Sequence, residues 1–367
     1  MLTRRAALGG LAATWLATPT TAGLLRPSVG DEGATLRGLA AAKGLLFGAA
    51  NNTYWLRDPD FAAAYIRDCG IMVPEYEMKR DTTEPSRGVF DFSGADALCA
   101  FARRNGMLSR GHPLIWYAAN PPWLEQAVAD ARDATIFTDY IAELAGRYRG
   151  RLHSWDVVNE AIETDDGRAD GLRNSFWLEK FGPGYIDAAF FTARAADPSA
   201  MLVYSDFGLE HDSPRNDARR RATLKLLEGL RARRVPVDAL GLQGHLVAFG
   251  KAINQKKLAA FLDEVTAMGL KILITEHDVD DSGGAIDFTT RDNAVSDISR
   301  RMLDVVLDNT NTIALLTWGL SDRYLKYDGT RDRILRGTPR MLPLDGIMQP
   351  TAMRGAIARA LVGARPR

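Results

Sequence analysis

Short apolar runs, rich in β-branched residues and ending in polar groups, alternate along the chain with longer stretches whose apolar residues recur every three or four positions. The short runs read as buried strands and the longer stretches as helices packed by one face. Strands are expected at Gly44–Asn51, Ile71–Glu75, Leu108–Trp116 with its loop, Trp155–Glu160, Met201–Asp206, Leu240–His245, Lys271–Val279 and Thr312–Gly319. Helices are expected over Asp60–Arg67, Asp96–Arg104, Phe137–Tyr148, Asp187–Ala196, a stretch striped by Leu224, Leu227 and Leu230, Leu258–Val265, a stretch striped by Ile298, Met302 and Val305, and Met353–Leu361. Gly70, Asn105-Gly106, Pro198 and Gly269 stand where helices should stop. Pro74 has no N–H for a sheet ladder, so the second strand must end there. Eight strands alternating with helices, without a linker or a close repeat, predict a single (β/α)8 barrel over residues 44–367 rather than a doubly wound sheet. No appended binding module is expected after the last helix.

Composition changes this picture only at the N-terminus. Arg4 and Arg5 precede an apolar run, Ala6 to Ala17, and then Thr20-Thr21-Ala22, which are the three parts of an export signal. Residues 1–22 are therefore expected to be cleaved, residues 23–43 to form a lead-in, and the mature protein to be periplasmic or secreted. The paired arginines also suit the twin-arginine route. No other stretch is apolar enough to span a membrane. Lys plus Arg equals Asp plus Glu at 46 each, so no electrostatic reason exists to expect a nucleic-acid partner, and a neutral polymer fits better. Cys69 and Cys99 could close one disulfide or stay as buried thiols; neither has metal-ligand spacing.

In a parallel barrel the polar groups at strand C-termini line the catalytic face. Trp155-Asp156-Val157-Val158-Asn159-Glu160 and Ile272-Leu273-Ile274-Thr275-Glu276 both end in a glutamate, about three strand–helix units apart. Two carboxyls on one rim suit glycoside hydrolysis, and in the retaining form they stand about 5–5.5 Å apart, one as nucleophile and one as acid and then base. Glu276 would face His245 from the neighbouring strand, with Asp278 beside it, a polar surrounding that keeps a carboxylate ionised. Glu160 closes a hydrophobic strand, where desolvation and the nucleophile's charge favour the neutral acid until the glycosyl-enzyme forms. Glu276 is thus the expected nucleophile and Glu160 the expected acid/base.

These motifs carry a resemblance. Pro74-Glu75-Tyr76-Glu77-Met78-Lys79 with Thr83-Glu84-Pro85, Arg110-Gly111-His112 through Trp116, Trp155 through Glu160, Gly241-Leu242-Gln243-Gly244-His245, Ile274-Thr275-Glu276 with Asp278, and Trp318-Gly319 follow one another as in glycoside hydrolase family 10. That family is best known for endo-β-1,4-xylanases, and the chain resembles it from about Gly44 to Leu361. The resemblance implies the same two carboxylate roles. It further implies that Asn159 binds the sugar 2-hydroxyl, that His245 and Asp278 support the nucleophile, and that Glu75, Lys79, His112, Trp116, Gln243 and Trp318 line the glycone subsites. The chain departs from the pattern at Tyr76, where the family has asparagine, at Tyr117 for histidine and at Ala119 for glutamine. Phe207 and Gly208 replace tyrosine and asparagine, and Ser321–Lys326 lacks a second tryptophan. The expected activity is endo-1,4-β-xylanase, with a same-fold glycosidase for decorated, acidic or aryl substrates as the alternative and a non-catalytic carbohydrate-binding protein as the distant one.

Basic residues cluster after the last strand, at Arg323, Lys326, Arg331, Arg333, Arg336 and Arg340. An acidic sugar could be read there, with Lys326 a candidate for specificity, although a solvated charged loop is the simpler expectation. Trp155 inside its strand should be core, whereas Trp116 and Trp318 at the rim suit sugar stacking. His277 should point away from Glu276 by strand alternation and serve the core, and His153 and His211 should pack or lie at the surface. No Gly-x-Ser-x-Gly, phosphate loop or His-Glu-x-x-His is present, and none of the five histidines forms a metal-spaced pair, so neither metal nor cofactor is expected.

Overall fold

The computed structural model describes residues 34–284, 287–325 and 338–367. The expected export signal, and the basic loop from Lys326 through Arg336, lie outside the described residues. Among the described residues nine strands are all paired in parallel: β1 (Leu46–Asn51), β2 (Ile71–Pro74), β3 (Leu108–Gly111), β4 (Ser154–Asn159), β5 (Met201–Asp206), β6 (Ala239–Leu242), β7 (His245–Val247), β8 (Lys271–Asp280) and β9 (Thr312–Thr317). They follow one another in the order β6-β5-β4-β3-β2-β1-β9-β8-β7, and a β6–β8 pairing closes the ring. Short β7 pairs only with the outer end of β8, His245 opposite Asp278, so it prolongs the β6 position. The result is the eight-position barrel expected.

The single run Leu240–His245 is split because Gly244 takes φ 77 and donates its N–H to the buried Glu210 carboxylate at 2.9 Å. A left-handed turn of this kind suits glycine, which has no Cβ to clash. Inside the barrel Ala50, Ile71, Val73, Val203, Ala239, Leu273, Ala314 and Leu316 make a small apolar core. The alternate residues, among them Phe47, Leu202, Tyr204, Leu240, Ile272 and Leu315, join the larger core under the helices. Burying each large side chain of this kind contributes about 1.5–3 kcal/mol. Gly111 lets the Trp155 ring lie on the β3 backbone, since a Cβ there would stand 2.0 Å from the ring.

The expected helices are found at Pro59–Asp68, Ser93–Arg104, Thr135–Arg147, Gly184–Ala196, Pro214–Ala232, Gln255–Ala267, Phe288–Val306 and Ala352–Gly363. Several begin a turn or more before their apolar stripe because the opening turns are polar and capped. Ser213, for example, accepts from Asn216 N ahead of Pro214. A short helix, Leu36–Ala41, stands in the segment expected as a lead-in, with Leu36 and Ala40 buried and Leu36 N donating to Asp68 Oδ1 at 3.0 Å. Cys69 and Cys99 are free thiols, and burial pushes Cys99 up to about 11 and Cys69 well above its usual range. Among the described residues no helix is long and apolar enough to cross a membrane.

Candidate active site

Both strands that end in a glutamate carry a register irregularity. In β4 it falls between Asp156 and Val158, and in β8 between Ile274 and His277. An extra residue of this kind re-aims the side chains beyond it. Glu160, just past β4, sits at φ 58, and its N–H bonds to Ser205 O at 2.8 Å. Its carboxylate, 8 % exposed with its residue, accepts from Trp116 Nε1 on one oxygen and Gln243 Nε2 on the other, both at 2.9 Å. Gln243 also reaches Asn159 Oδ1 at 3.3 Å. Trp116, Asn159, Glu160 and Gln243 are thus brought together from three positions of the barrel.

Glu276 is buried in a different setting. His245 Nε2 stands 3.4 Å from Glu276 Oε2, while His245 Nδ1 bonds to Asp278 Oδ1 at 2.7 Å. Burial works against charge on this imidazole, but Asp278 and Glu276 together outweigh it and hold His245 protonated well above the usual histidine range. Among the described residues Glu276 Oε1 has no hydrogen-bond donor, and His112 Nδ1 lies 3.9 Å from it. One oxygen of Glu276 therefore faces a cation and the other is free for a reacting atom. His277 behaves as alternation demands: its ring bonds Gly244 O at 2.8 Å and Ser299 Oγ at 3.0 Å in the core, and burial lowers it to about 4.

Beyond β2 a turn closed by Lys79 N donating to Tyr76 O at 2.9 Å stacks the two side chains. Lys79 Nζ lies 4.7 Å from the Tyr76 ring, 5.1 Å from Trp116 and 5.9 Å from Trp318, an aromatic cage around one ammonium. Tyr76 is fixed by a hydrogen bond from its hydroxyl to Asp81, which with burial raises the phenol to about 12. Glu75 Oε2 accepts from Asn52 Nδ2 at 3.2 Å beside this cage. His112 meets the Trp318 ring edge-on, with centroids 5.3 Å apart. Lys79, Trp116, Trp318 and His112 thus come together, with Tyr76 built into the group.

On the opposite flank Tyr117 lies over the Arg173 guanidinium at 4.1 Å, and burial followed by the Glu160 charge raises its phenol. Phe207 rests on Arg219 at 4.1 Å. Ala119, at φ 49, serves through its backbone: its carbonyl accepts from Asp81 N at 3.1 Å. Other residues, not anticipated, matter here. Asp156, wholly buried in β4, accepts from Arg110 on one oxygen and from His112 Nδ1 at 2.8 Å on the other. Burial alone would push its carboxyl up, but Arg110 and His112 hold it below the ordinary carboxylate range. Trp177 Nε1 donates to Trp116 O at 2.9 Å and Asn120 Nδ2 to the same oxygen at 3.1 Å, which fixes the Trp116 loop. Asp206 is pushed up to about 6 by burial despite Arg219 at 2.6 Å.

The described ends of the basic loop do not present free charge. Arg323 pairs with Asp58, and Arg340 binds both oxygens of Asp292 at 2.7 Å. Lys326 lies outside the described residues. His112, Asp156 and Glu276 bring ligand atoms within 4.8 Å of one another, but the Arg110 guanidinium already supplies the cation that Asp156 faces.

The profile of glycosyl hydrolase family 10 matches residues 35–359. Endo-1,4-beta-xylanase B of Thermotoga neapolitana is 33% identical over 302 residues, which cover 81% of this chain and 84% of that protein. Native xylanase 10B of Thermotoga maritima superposes with a TM-score of 0.78 at 29% identity, covering 89% of this chain and 98% of that one. Xylanase 10B of Thermotoga petrophila RKU-1, solved in complex with xylobiose, matches equally, with a TM-score of 0.78, 29% identity, and 89% and 97% coverage. By sequence profile, by relatives that share most of their length with it, and by its barrel, the chain belongs to glycosyl hydrolase family 10.

Proposed function

We propose that the protein is a retaining endo-1,4-β-xylanase in which Glu276 is the nucleophile and Glu160 the acid/base. The observation that carries this reading is the asymmetry between the two carboxylates. Among the described residues Glu276 has a charged imidazolium at one oxygen and nothing donating to the other. Among the described residues Glu160 is held by neutral groups, the Trp116 indole, the Gln243 amide and the Tyr117 hydroxyl. A carboxylate beside a cation stays ionised and can attack the anomeric carbon, while one between neutral groups can gain and lose a proton as the reaction proceeds. In the first step Glu276 displaces the leaving sugar as Glu160 protonates its oxygen; in the second, Glu160 takes a proton from water, which displaces Glu276 and restores the β-configuration. Asn159, bonded to Gln243, is placed beside the acid to bind a hydroxyl, and the ring faces around Lys79 offer apolar platforms for sugars on the glycone side.

Plain xylan is the proposed substrate. The pairing of Arg323 and Arg340 with acids leaves these two residues as poor readers of a uronic acid. Export belongs to the same reading and rests on Arg4-Arg5, the apolar run and Ala22; the mature N-terminus found in the extracellular or periplasmic fraction should begin near Gly23. The central test is the product profile on xylan, glucuronic-acid-decorated xylo-oligosaccharides and aryl β-glycosides, with the first-formed anomer followed by NMR. Internal cleavage of plain xylan with β-product is expected, and Glu276→Ala should be folded and inactive. An α-anomer first, near-normal turnover in that variant, or activity confined to decorated substrates would each reject the assignment.

A further inference from the structure

We infer that Arg173 is a positioning residue for the acid/base, holding Glu160 in the backbone conformation from which its carboxylate reaches the leaving oxygen; this rests on the role proposed above for Glu160. Glu160 occupies the left-handed region at φ 58. That region is unfavourable for an L side chain and persists only where the surroundings over-determine it. The residue's N–H is held by Ser205 O at 2.8 Å. Its carbonyl is held by Arg173 Nε, also at 2.8 Å. The same side chain carries the constraint onward, with Nη2 at 3.4 Å from Ile162 O and 3.5 Å from Glu163 Oε2. The Arg173 backbone N–H bonds Ala161 O at 2.7 Å, and Ile162 bridges Leu172 as a short antiparallel contact.

The guanidinium is largely buried, at 14% side-chain exposure, and sits against the Tyr117 ring. A planar fork stacked on an aromatic face is pre-organised in a way a flexible ammonium is not. None of these Arg173 bonds goes to the Glu160 carboxylate, which is met by Trp116, Gln243 and the Tyr117 hydroxyl. Arg173 therefore acts on the acid through its backbone. Loosening it should let Glu160 relax out of the left-handed conformation and swing its carboxylate away from the bond it protonates.

The test exploits the leaving group. Departure of a sugar hydroxyl needs the acid, whereas 2,4-dinitrophenolate departs without a proton. Wild type, Arg173→Ala and Arg173→Lys are compared by kcat/KM on xylotetraose and on 2,4-dinitrophenyl β-xylobioside, with Tm measured in parallel. General acid assistance of this kind is worth at least about 10²-fold. Arg173→Ala should therefore lose on the order of 10²-fold on xylotetraose and only a few-fold on the activated glycoside, with a distorted acidic-to-basic limb in its pH profile. Arg173→Lys, which keeps the charge and a donor but not the fork, should fold if the alanine variant does not and should show the same split to a smaller degree. Equal losses on both substrates would mean a general structural clip and would overturn the inference, as would unchanged activity on xylotetraose. A wild-type protein that hydrolyses neither substrate would overturn the xylanase reading itself, and is distinguishable because no variant is needed to see it.

Discussion

Replacing Asp156 by asparagine should cost the protein both stability and the posture of one site residue. Asp156 and Arg110 are each 0% exposed, and the carboxylate also accepts from His112 Nδ1 at 2.8 Å. An asparagine has a single acceptor oxygen for two donors and leaves Arg110 as a buried charge without an anion. Breaking one side of a buried ion pair costs about 3–5 kcal/mol. Unfolding entropy of about 2.1 cal/mol/K per residue, over the roughly 330 residues of the unit Thr35–Arg367, is about 0.7 kcal/mol/K, so Tm at pH 7 should fall by about 4–7 °C. The pH dependence has a definite sign. A carboxyl whose folded pKa is depressed stabilises the fold above its unfolded value of about 3.9, and that stabilisation is lost as pH falls through the folded value. The Tm gap between wild type and Asp156→Asn should therefore narrow below about pH 4. Calorimetry from pH 3 to pH 7 measures it, with kcat/KM recorded alongside because His112 loses its orienting acceptor 3.9 Å from Glu276. A variant melting within about 1 °C of wild type at pH 7 would refute the view that Asp156 compensates Arg110.

Three further outcomes follow from the geometry. Trp116→Phe keeps a ring but removes the 2.9 Å indole bond to Glu160, and one neutral hydrogen bond of about 1 kcal/mol predicts a roughly fivefold loss in kcat/KM; no loss would show that the indole N–H is dispensable. Asp206, raised from 3.8 to about 6 by burial, gives stability that is complete below its unfolded value and is lost as pH rises through about 6, so wild-type Tm should decline across that window and Asp206→Asn should flatten the decline. An equal slope in both proteins counts against the buried acid as its source. Arg323→Ala breaks a partly exposed pair with Asp58 worth under about 1 kcal/mol and should leave the ratio of activities on decorated and plain xylo-oligosaccharides unchanged; a selective loss on the decorated substrate would return Arg323 to a recognition role.

The strand ends were legible because each apolar run stops abruptly at a polar residue, and the barrel then carries those residues to one rim. Glu160, Glu276, Gln243 and His245 all announce themselves this way. Asp156 gave a signal that could have been used: a charged residue inside a buried strand, with Arg110 on the neighbouring strand, has to be compensated. Arg173 gave none, since its bond to Glu160 O depends on a loop folding back across thirteen positions with no periodicity to reveal it. The basic residues after the last strand could be counted in the sequence, but their partners could not. Asp58 lies 265 positions before Arg323, and Asp292 lies on a separate helix. Gly244 looked like one more residue of a strand; its left-handed turn is visible only once the Glu210 carboxylate is in place to receive its N–H.

The cage around Lys79, proposed above to border the glycone side, sets how that end responds to its solution. Among the described residues this ammonium is met by the faces of Tyr76, Trp116 and Trp318 rather than by a paired carboxylate. Mobile ions weaken contacts between separated charges over about 8–10 Å, but they cannot enter the 5 Å gap between a cation and a ring packed against it. A neutral sugar docking there forms no new ion pair. Its affinity should be almost level from dilute buffer to brine.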